Sequence, residues 1–137
     1  MTQAASTKVF LTWSGDRSKA MSAALRDWLP KVIQTLDPWM SEDDISKGAK
    51  WGSEIADQLA VAKVGIVCLT PENQDEAWVN FEAGALSKLP GSYVCTYLLG
   101  LSPTDVKFPL DQFQATKSDD KDDTKKLLHT INGNLGE

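Results

Sequence analysis

Trp78 and Glu82 are the two residues in this chain whose types and spacing suggest chemistry. They lie four positions apart, so on a helix both side chains project from one face, a turn apart. After Glu82 the side chains shrink to Ala83, Gly84 and Ala85, which lets another backbone or a ligand come close to the carboxylate. The segment therefore predicts one approachable carboxylate beside an aromatic ring.

A single carboxylate suits a particular kind of glycosidic cleavage. Glycoside hydrolysis usually uses two carboxylates, because a neutral leaving group must be protonated while the sugar cation is stabilised. A leaving group that is already cationic, such as the nicotinamide of NAD, departs without an acid. One glutamate that stabilises the developing ribosyl cation is then enough. Glu82 fits that role, with Trp78 and Trp51 as flat faces for a nicotinamide or adenine ring.

Ordinary structural roles compete with this interpretation. A glutamate in the middle of an amphipathic helix usually faces solvent, and tryptophans at helical spacing are more often core residues than ligand platforms. We expect Trp28 and Trp39 to belong to the core. Asp43 and Asp44 are more often solvated charges than ligands.

Apolar runs separated by amphipathic stretches predict the elements that position Glu82. The runs expected to form strands are residues 8–13, 37–40, 63–70, 92–99 and 113–116. The expected helices are residues 21–36 with a kink at Pro30, 51–62, a helix capped by Asn73 or Asp75 and running to Leu89, and 124–132. Strands that alternate with helices predict an α/β fold, a doubly wound sheet of about five parallel strands with helices on both faces.

In such sheets ligands bind beyond the carboxyl ends of the strands, where the strand order reverses. With the order 2-1-3-4-5, the loops at residues 14–16 and 70–75 flank that crevice. The second loop leads directly into the helix of Glu82, and the long polar loop at residues 41–50 can close over the same side. The site is therefore predicted between these three loops.

Composition and missing motifs exclude several other functions. A net charge of −5 and a pI of about 4.8 argue against direct nucleic-acid binding. Cys68 and Cys95 lie in apolar runs, as small hydrophobes do, so we expect no metal site. The sequence contains neither a Walker phosphate loop nor a dinucleotide fingerprint. His129, the only histidine, is expected on the surface, and Thr70 stands where a phospho-acceptor receiver domain would need an aspartate.

Three segments in order resemble one protein family. KVFLTWSGD, ISKGAKWGSEI, and KVGIVCLTPEN followed by W-x-x-x-E are similar to the Toll/interleukin-1 receptor (TIR) domain family in its bacterial branch. The resemblance covers residues 8–99 well and the remainder loosely. It departs from some NAD-cleaving members, which carry basic residues after the first strand where this chain has Gly15 and Asp16.

The resemblance implies a flavodoxin-like fold and a set of roles. Glu82 falls on the essential glutamate of NAD-cleaving members, Trp78 on its partner, and Trp51 on the aromatic that faces the nucleotide. Residues matching the pocket wall after the first strand are Trp13, Ser14, Gly15 and Asp16. Residues matching the family's assembly loop, through which protomers stack, are Asp43, Asp44, Ile45, Lys47 and Gly48.

These matches lead to a functional expectation. Residues 1–7 are expected to be a flexible tail, and residues 8–137 one TIR-like domain, cut from or partnered with a sensor domain. The expected activity is cleavage of NAD to nicotinamide and ADP-ribose or a cyclic isomer, with NAD as substrate and no cofactor. Self-association would switch it on, in bacterial antiphage defence or cell-death signalling. No leader or membrane-length apolar run is visible, so a cytoplasmic location is expected.

Two other functions remain open. One is a non-enzymatic TIR interaction module, an adaptor or virulence-type mimic that binds other TIR domains through residues 41–50. The other is a nucleoside-processing transferase on a similar sheet. A pure interaction module has no need of Glu82 with small neighbours, which favours the enzyme.

Overall fold

The computed structural model describes residues 6–40, 57–88 and 91–133, except for the side chain of Trp78. Within these ranges the strands are β1 (Thr7–Thr12), β2 (Leu36–Met40), β3 (Val64–Leu69), β4 (Tyr93–Leu98) and β5 (Gln114–Lys117). All neighbouring pairs are parallel, and the order is β2-β1-β3-β4-β5. The predicted α/β, flavodoxin-like sheet with the order 2-1-3-4-5 is confirmed.

Helices cover both faces of this sheet. They are α1 (Asp16–Val32), α2 (helical residues 57–61), α3 (Ala77–Ser87) and α4 (Lys121–Gly133). Two short 3-10 helices, Pro103–Asp105 and Leu110–Gln112, lie between β4 and β5. Parallel strands need such crossovers, and a strand covered on both sides is apolar throughout, as the fully buried β3 is.

The alternation of side chains along β1 divides the core into two clusters. Val9 and Leu11 pack in one cluster with side chains of α1 and α4, whereas Phe10 packs in the other with side chains of α2 and α3. This is the period of two expected of a strand buried on both faces. The residue after Leu11, Thr12, therefore belongs to the face that α3 covers.

Gly65 lets α3 lie close to the sheet. A Cβ atom at this position would come within 2.6 Å of Leu86 Cδ1. Leu86 is fully buried and lies one helical turn after Glu82. The close contact between β3 and α3 therefore holds the turn that carries Glu82 against the sheet.

The end of α1 differs from the prediction. The helix begins at Asp16 and ends at Val32, two residues beyond Pro30, and Leu36 already begins β2. The predicted kinked helix reaching Leu36 is therefore wrong. Proline removes a backbone donor from the last turn, and Ile33 takes an extended conformation (φ −125°, ψ 103°). The apolar residues beyond Pro30 pack from a turn and a strand rather than from a helical stripe.

The start of α3 also differs. Its N-cap residue is Glu76, and no side chain caps the helix, so the predicted caps Asn73 and Asp75 are wrong. Asp75 forms an ion pair with Lys107 at 3.1 Å instead, and Asn73 makes hydrogen bonds within the loop that follows β3. Residues 71–75 form turns before the helix begins.

Several single-residue predictions can be compared with the structure. Cys68 and Cys95 are buried free thiols, as expected, and His129 is exposed, as expected. Trp39 is half-buried against Phe10. Trp28 is 39% exposed, so its assignment to the core is wrong. Among the described residues, no helix is long and apolar enough to cross a membrane.

Candidate functional site

Glu82 is buried against the sheet. The face of α3 that carries Val79, Ala83 and Leu86 packs on the cluster around Phe10, and Glu82 lies on the same face with an exposed fraction of 1%. The competing interpretation, a solvent-facing glutamate, is therefore wrong. Gly84 plays no part in this burial, because a Cβ atom there would meet nothing within 4 Å.

Thr12 lies beside the Glu82 carboxyl group at the carboxyl end of β1. Both side chains are fully buried. Among the described residues, Thr12 Oγ1 and Glu82 Oε2 are buried polar atoms without a hydrogen-bond partner. Most buried polar atoms in proteins are paired, so this adjacent unpaired pair calls for a functional explanation.

The surroundings of Glu82 favour its neutral form. Burial raises the pKa of Glu82 to about 8, because a charged carboxylate loses its hydration in the protein interior. The Thr12 hydroxyl lies close enough to favour the ionised form, but not in the geometry of a hydrogen bond. A cationic group that entered the site would supply the missing stabilisation and lower the pKa.

A pocket of about 310 Å³ opens at the same edge of the sheet. Its walls are the loop after β1 and the loop after β3; the lining residues are Ser14, Gly15, Asp16, Arg17, Ser18, Thr70 and Glu72. Gly15 has a φ of 90°, a backbone conformation that side chains disfavour. The tight turn at Gly15 allows α1 to begin at once at the rim of the pocket.

Arg17 and Glu72 face each other across this pocket. Arg17 Nε lies 3.3 Å from Glu72 Oε2, and both side chains are more than half exposed. The backbone N–H of Glu72 lowers the pKa of its carboxyl, and the Thr70 hydroxyl and Arg17 lower it further. An exposed pair of this kind contributes little to stability, so both charged groups are available to a ligand.

The sequence and the fold together identify the family. A family model described as TIR domain matches residues 9–128. The chain belongs to the TIR domain family. No curated protein matches the sequence.

A solved structure shows how widely this fold occurs. The chain is similar to a 2-deoxyribosyltransferase from the psychrotolerant bacterium Bacillus psychrosaccharolyticus, with a TM-score of 0.65 and 11% sequence identity. The match covers 87% of this chain and 90% of that one. At this identity the likeness shows a shared α/β fold and no more.

The TIR fold brings part of the predicted site together. Ser14, Gly15 and Asp16 line the pocket as expected, and Glu82 lies beneath the same edge of the sheet. Trp13 is half-buried against the cluster on the α1 face, with Lys19 Nζ 5.4 Å from the centre of its ring. The structure therefore places Trp13 on the face of the sheet opposite Glu82.

The remaining predicted residues lie outside what the structure describes. The backbone of Trp78 belongs to α3, but its side chain is not among the described ones. Trp51 and the predicted assembly loop are outside the described ranges; the loop residues concerned are Asp43, Asp44, Ile45, Lys47 and Gly48. Within residues 6–40, 57–88 and 91–133, no cluster of three His, Cys, Asp or Glu side chains is placed to hold a metal ion.

Two site residues escaped the sequence argument. Thr12 is a polar residue at the end of an apolar strand and shares a face with Phe10, a signal that alternation along β1 would have shown. Arg17 supplies a guanidinium one position beyond Gly15 and Asp16, where no basic residue was expected. Its place on the first turn of α1 depends on the helix beginning at Asp16 rather than at Met21.

Proposed function

We propose that this TIR domain cleaves the bond between nicotinamide and ribose in NAD, releasing nicotinamide and ADP-ribose or a cyclic isomer. The observation that carries the proposal is the buried, unpaired Glu82 carboxyl beside the unpaired Thr12 hydroxyl. Folding a protein with these two groups unpaired costs free energy. A binding module gains nothing from that cost, whereas an enzyme can use groups that are completed only by its substrate.

The reaction needs no acid at the leaving group. The bond from ribose C1′ to the nicotinamide nitrogen breaks, and its electron pair stays with the ring, which becomes neutral nicotinamide. The positive charge moves to the ribosyl group. Water attacks C1′ and releases a proton to give ADP-ribose, or an adenine nitrogen of the same molecule attacks to give the cyclic isomer.

Glu82 contributes by electrostatic stabilisation. Its carboxylate lies in a low-dielectric environment, where attraction to a developing cation is much stronger than in water. The cationic ring of bound NAD lowers the pKa of Glu82 and ionises it. The substrate thus completes the catalytic charge.

Arg17 and the loop after β1 are placed for the rest of the substrate. The guanidinium of Arg17 at the pocket rim suits a diphosphate, because its donors match phosphate oxygens. Trp78 and Trp51 are proposed to contact the rings of the substrate.

Access to Glu82 requires a change above it, since the carboxyl group is 1% exposed. We propose that self-association makes this change, through Asp43, Asp44, Ile45, Lys47 and Gly48 of the assembly loop, which would reach a neighbouring protomer. The proposed setting is a bacterial defence or cell-death response, with a sensor domain or partner protein as the trigger.

A substrate panel tests the proposal. Concentrated protein is incubated separately with NAD, with nucleosides and with no substrate, and released bases are separated by chromatography. Nicotinamide from NAD supports the proposal. Base release from nucleosides but not from NAD would indicate a nucleoside transferase, and no release at any protein concentration would indicate the interaction module.

A further inference from the structure

The side-chain amide of Asn73 joins the two loops that form the pocket. Asn73 Nδ2 donates to the carbonyl oxygens of Ser14 and Cys68, each at 3.0 Å. Asn73 Oδ1 accepts from the backbone N–H of Thr70 at 2.8 Å. The side chain is 2% exposed, so these bonds form where water does not compete. One amide therefore ties the end of β3 to the loop after β1.

The donors and acceptors at this point fix the identity of the side chain. Both Nδ2 hydrogens are used by carbonyl oxygens, and Oδ1 meets an N–H, so the opposite orientation of the amide would set oxygen against oxygen. An aspartate has nearly the same shape but lacks both donors. Asparagine is thus the residue that suits this position.

Ser18 adds a second tie to the same point. Its hydroxyl donates to the Cys68 carbonyl at 2.8 Å, and the Ser14 N–H donates to it at 3.2 Å. Ser14 is consequently held through its carbonyl by Asn73 and through its N–H by Ser18. Among the printed contacts of the described residues, these two side chains connect the loop after β1 to β3.

We propose that Asn73 is a positioning residue that sets the separation between the two walls of the pocket. It touches no reacting atom. Its clamp places Ser14, Gly15 and Arg17 at a fixed distance from Thr70 and Glu72, and so shapes the space in which substrate is held. This inference rests on the proposed function for its kinetic consequence, although the clamp itself does not.

Gln74, the next residue, provides a matched control. It is also a buried amide, 7% exposed, and it ties the same loop to a different neighbour. Gln74 Nε2 donates to the Asp105 carbonyl at 3.2 Å, and Gln74 Oε1 accepts from the Lys107 N–H at 2.9 Å. Gln74→Glu therefore repeats the chemical change of Asn73→Asp away from the pocket walls.

The kinetic arm compares Asn73→Asp with Gln74→Glu at equal folded concentration. Asn73→Asp is expected to raise the KM for NAD about tenfold or more, with kcat changed by less than about threefold, because uniform binding is lost. Gln74→Glu is expected to leave both constants within about twofold of the wild type. Equal changes of KM in the two variants would overturn the proposal. Ser18→Ala, which keeps Asn73 and removes the second tie, is expected to raise KM in the same direction and serves if Asn73→Asp does not fold.

Amide hydrogen exchange in the ligand-free protein supplies an arm that needs no NAD cleavage. The amides of Ser14 and Lys19 donate within the loop and the first turn of α1. In Asn73→Asp they are expected to exchange at least about tenfold faster, and in Gln74→Glu to remain protected. This result with no NAD cleavage would refute the proposed function and leave the clamp standing. Unchanged protection in both Asn73→Asp and Ser18→Ala would refute the clamp.

Discussion

Glu82 and Thr12 place two unpaired polar atoms side by side in the interior. Each buried group left without a partner costs about 1–3 kcal/mol of folding free energy. Strain of this kind is characteristic of functional sites. At the scale of single residues, the account therefore predicts that the fold becomes more stable when these groups are removed, while activity is lost.

The stability gained in Glu82→Gln should depend on pH. The Glu82 carboxyl ionises near pH 4.5 in the unfolded chain and near 8 in the folded protein. Between these values the folded state holds the extra proton, so the wild type loses up to about 1.4 kcal/mol per pH unit as pH rises. Glutamine does not titrate. Denaturant unfolding at several pH values should show an advantage for Glu82→Gln that grows from about pH 5 to about pH 8 and then levels off. An advantage that is the same at every pH would contradict the burial of Glu82.

Activity should follow the ionisation of Glu82 in the opposite sense. The stabilising form is the carboxylate, and kcat/KM reports the ionisation of the free enzyme. The kcat/KM for NAD is expected to rise with pH and to level off above about pH 8, in line with the raised pKa. Initial rates at low NAD concentration measure it. A profile that is flat between about pH 6 and pH 9 would exclude Glu82 as the ionising group.

Thr12→Val separates function from folding. Valine keeps the shape of threonine and its strand preference while removing a buried hydroxyl that has no hydrogen-bond partner. Stability should stay the same or rise by up to about 1 kcal/mol, and NAD cleavage should fall because the carboxyl loses its polar neighbour. Thermal melts and nicotinamide release measure the two effects. A variant that is less stable but fully active would assign the hydroxyl a structural role.

At the scale of elements, the position of α3 over β3 decides where Glu82 lies. Two glycines allow this packing to be tested. A Cβ atom at Gly65 would clash with Leu86 Cδ1, whereas one at Gly84 would meet open space.

Gly65→Ala should destabilise the protein by about 1–3 kcal/mol, because the added methyl group overpacks the contact between β3 and α3. Gly84→Ala should stabilise it by about 0.5–1 kcal/mol, since alanine restricts the unfolded chain and favours the helix interior. Denaturant unfolding of both variants provides the comparison. Equal effects of the two substitutions would mean that α3 is not held closely at Gly65.

The elements show how far sequence patterns lead. The strands and their order followed from apolar runs and from the rule that places ligands where the order reverses, and β3 is as buried as its composition implied. Boundaries were harder because tertiary bonds override local preference. Asn73 has the type of a helix cap but serves the loop after β3, and Leu36 fits a helical stripe but begins β2. The burial of Glu82 depends on Thr12, seventy residues earlier in the chain, which no pattern local to α3 contains.

At the scale of the whole molecule, the parallel sheet gathers these parts at one edge. Thr12, the pocket of Ser14 and Arg17, and the loop of Asn73 all follow the carboxyl ends of β1 and β3. Any TIR domain offers this edge, but a TIR domain that only binds partners does not require a buried, ionisable group there. The central claim is therefore that Glu82 makes this TIR domain an enzyme.

Nicotinamide release from NAD by Glu82→Gln tests that claim most directly. Wild type, Glu82→Gln and the control Glu76→Gln, which changes an exposed glutamate at the start of α3, are compared over a range of protein concentrations, at equal folded fractions. We expect wild type and Glu76→Gln to release nicotinamide at similar rates, rising with concentration, and Glu82→Gln to be about 10²–10³-fold slower. Wild-type rates in a folded Glu82→Gln variant would contradict the account.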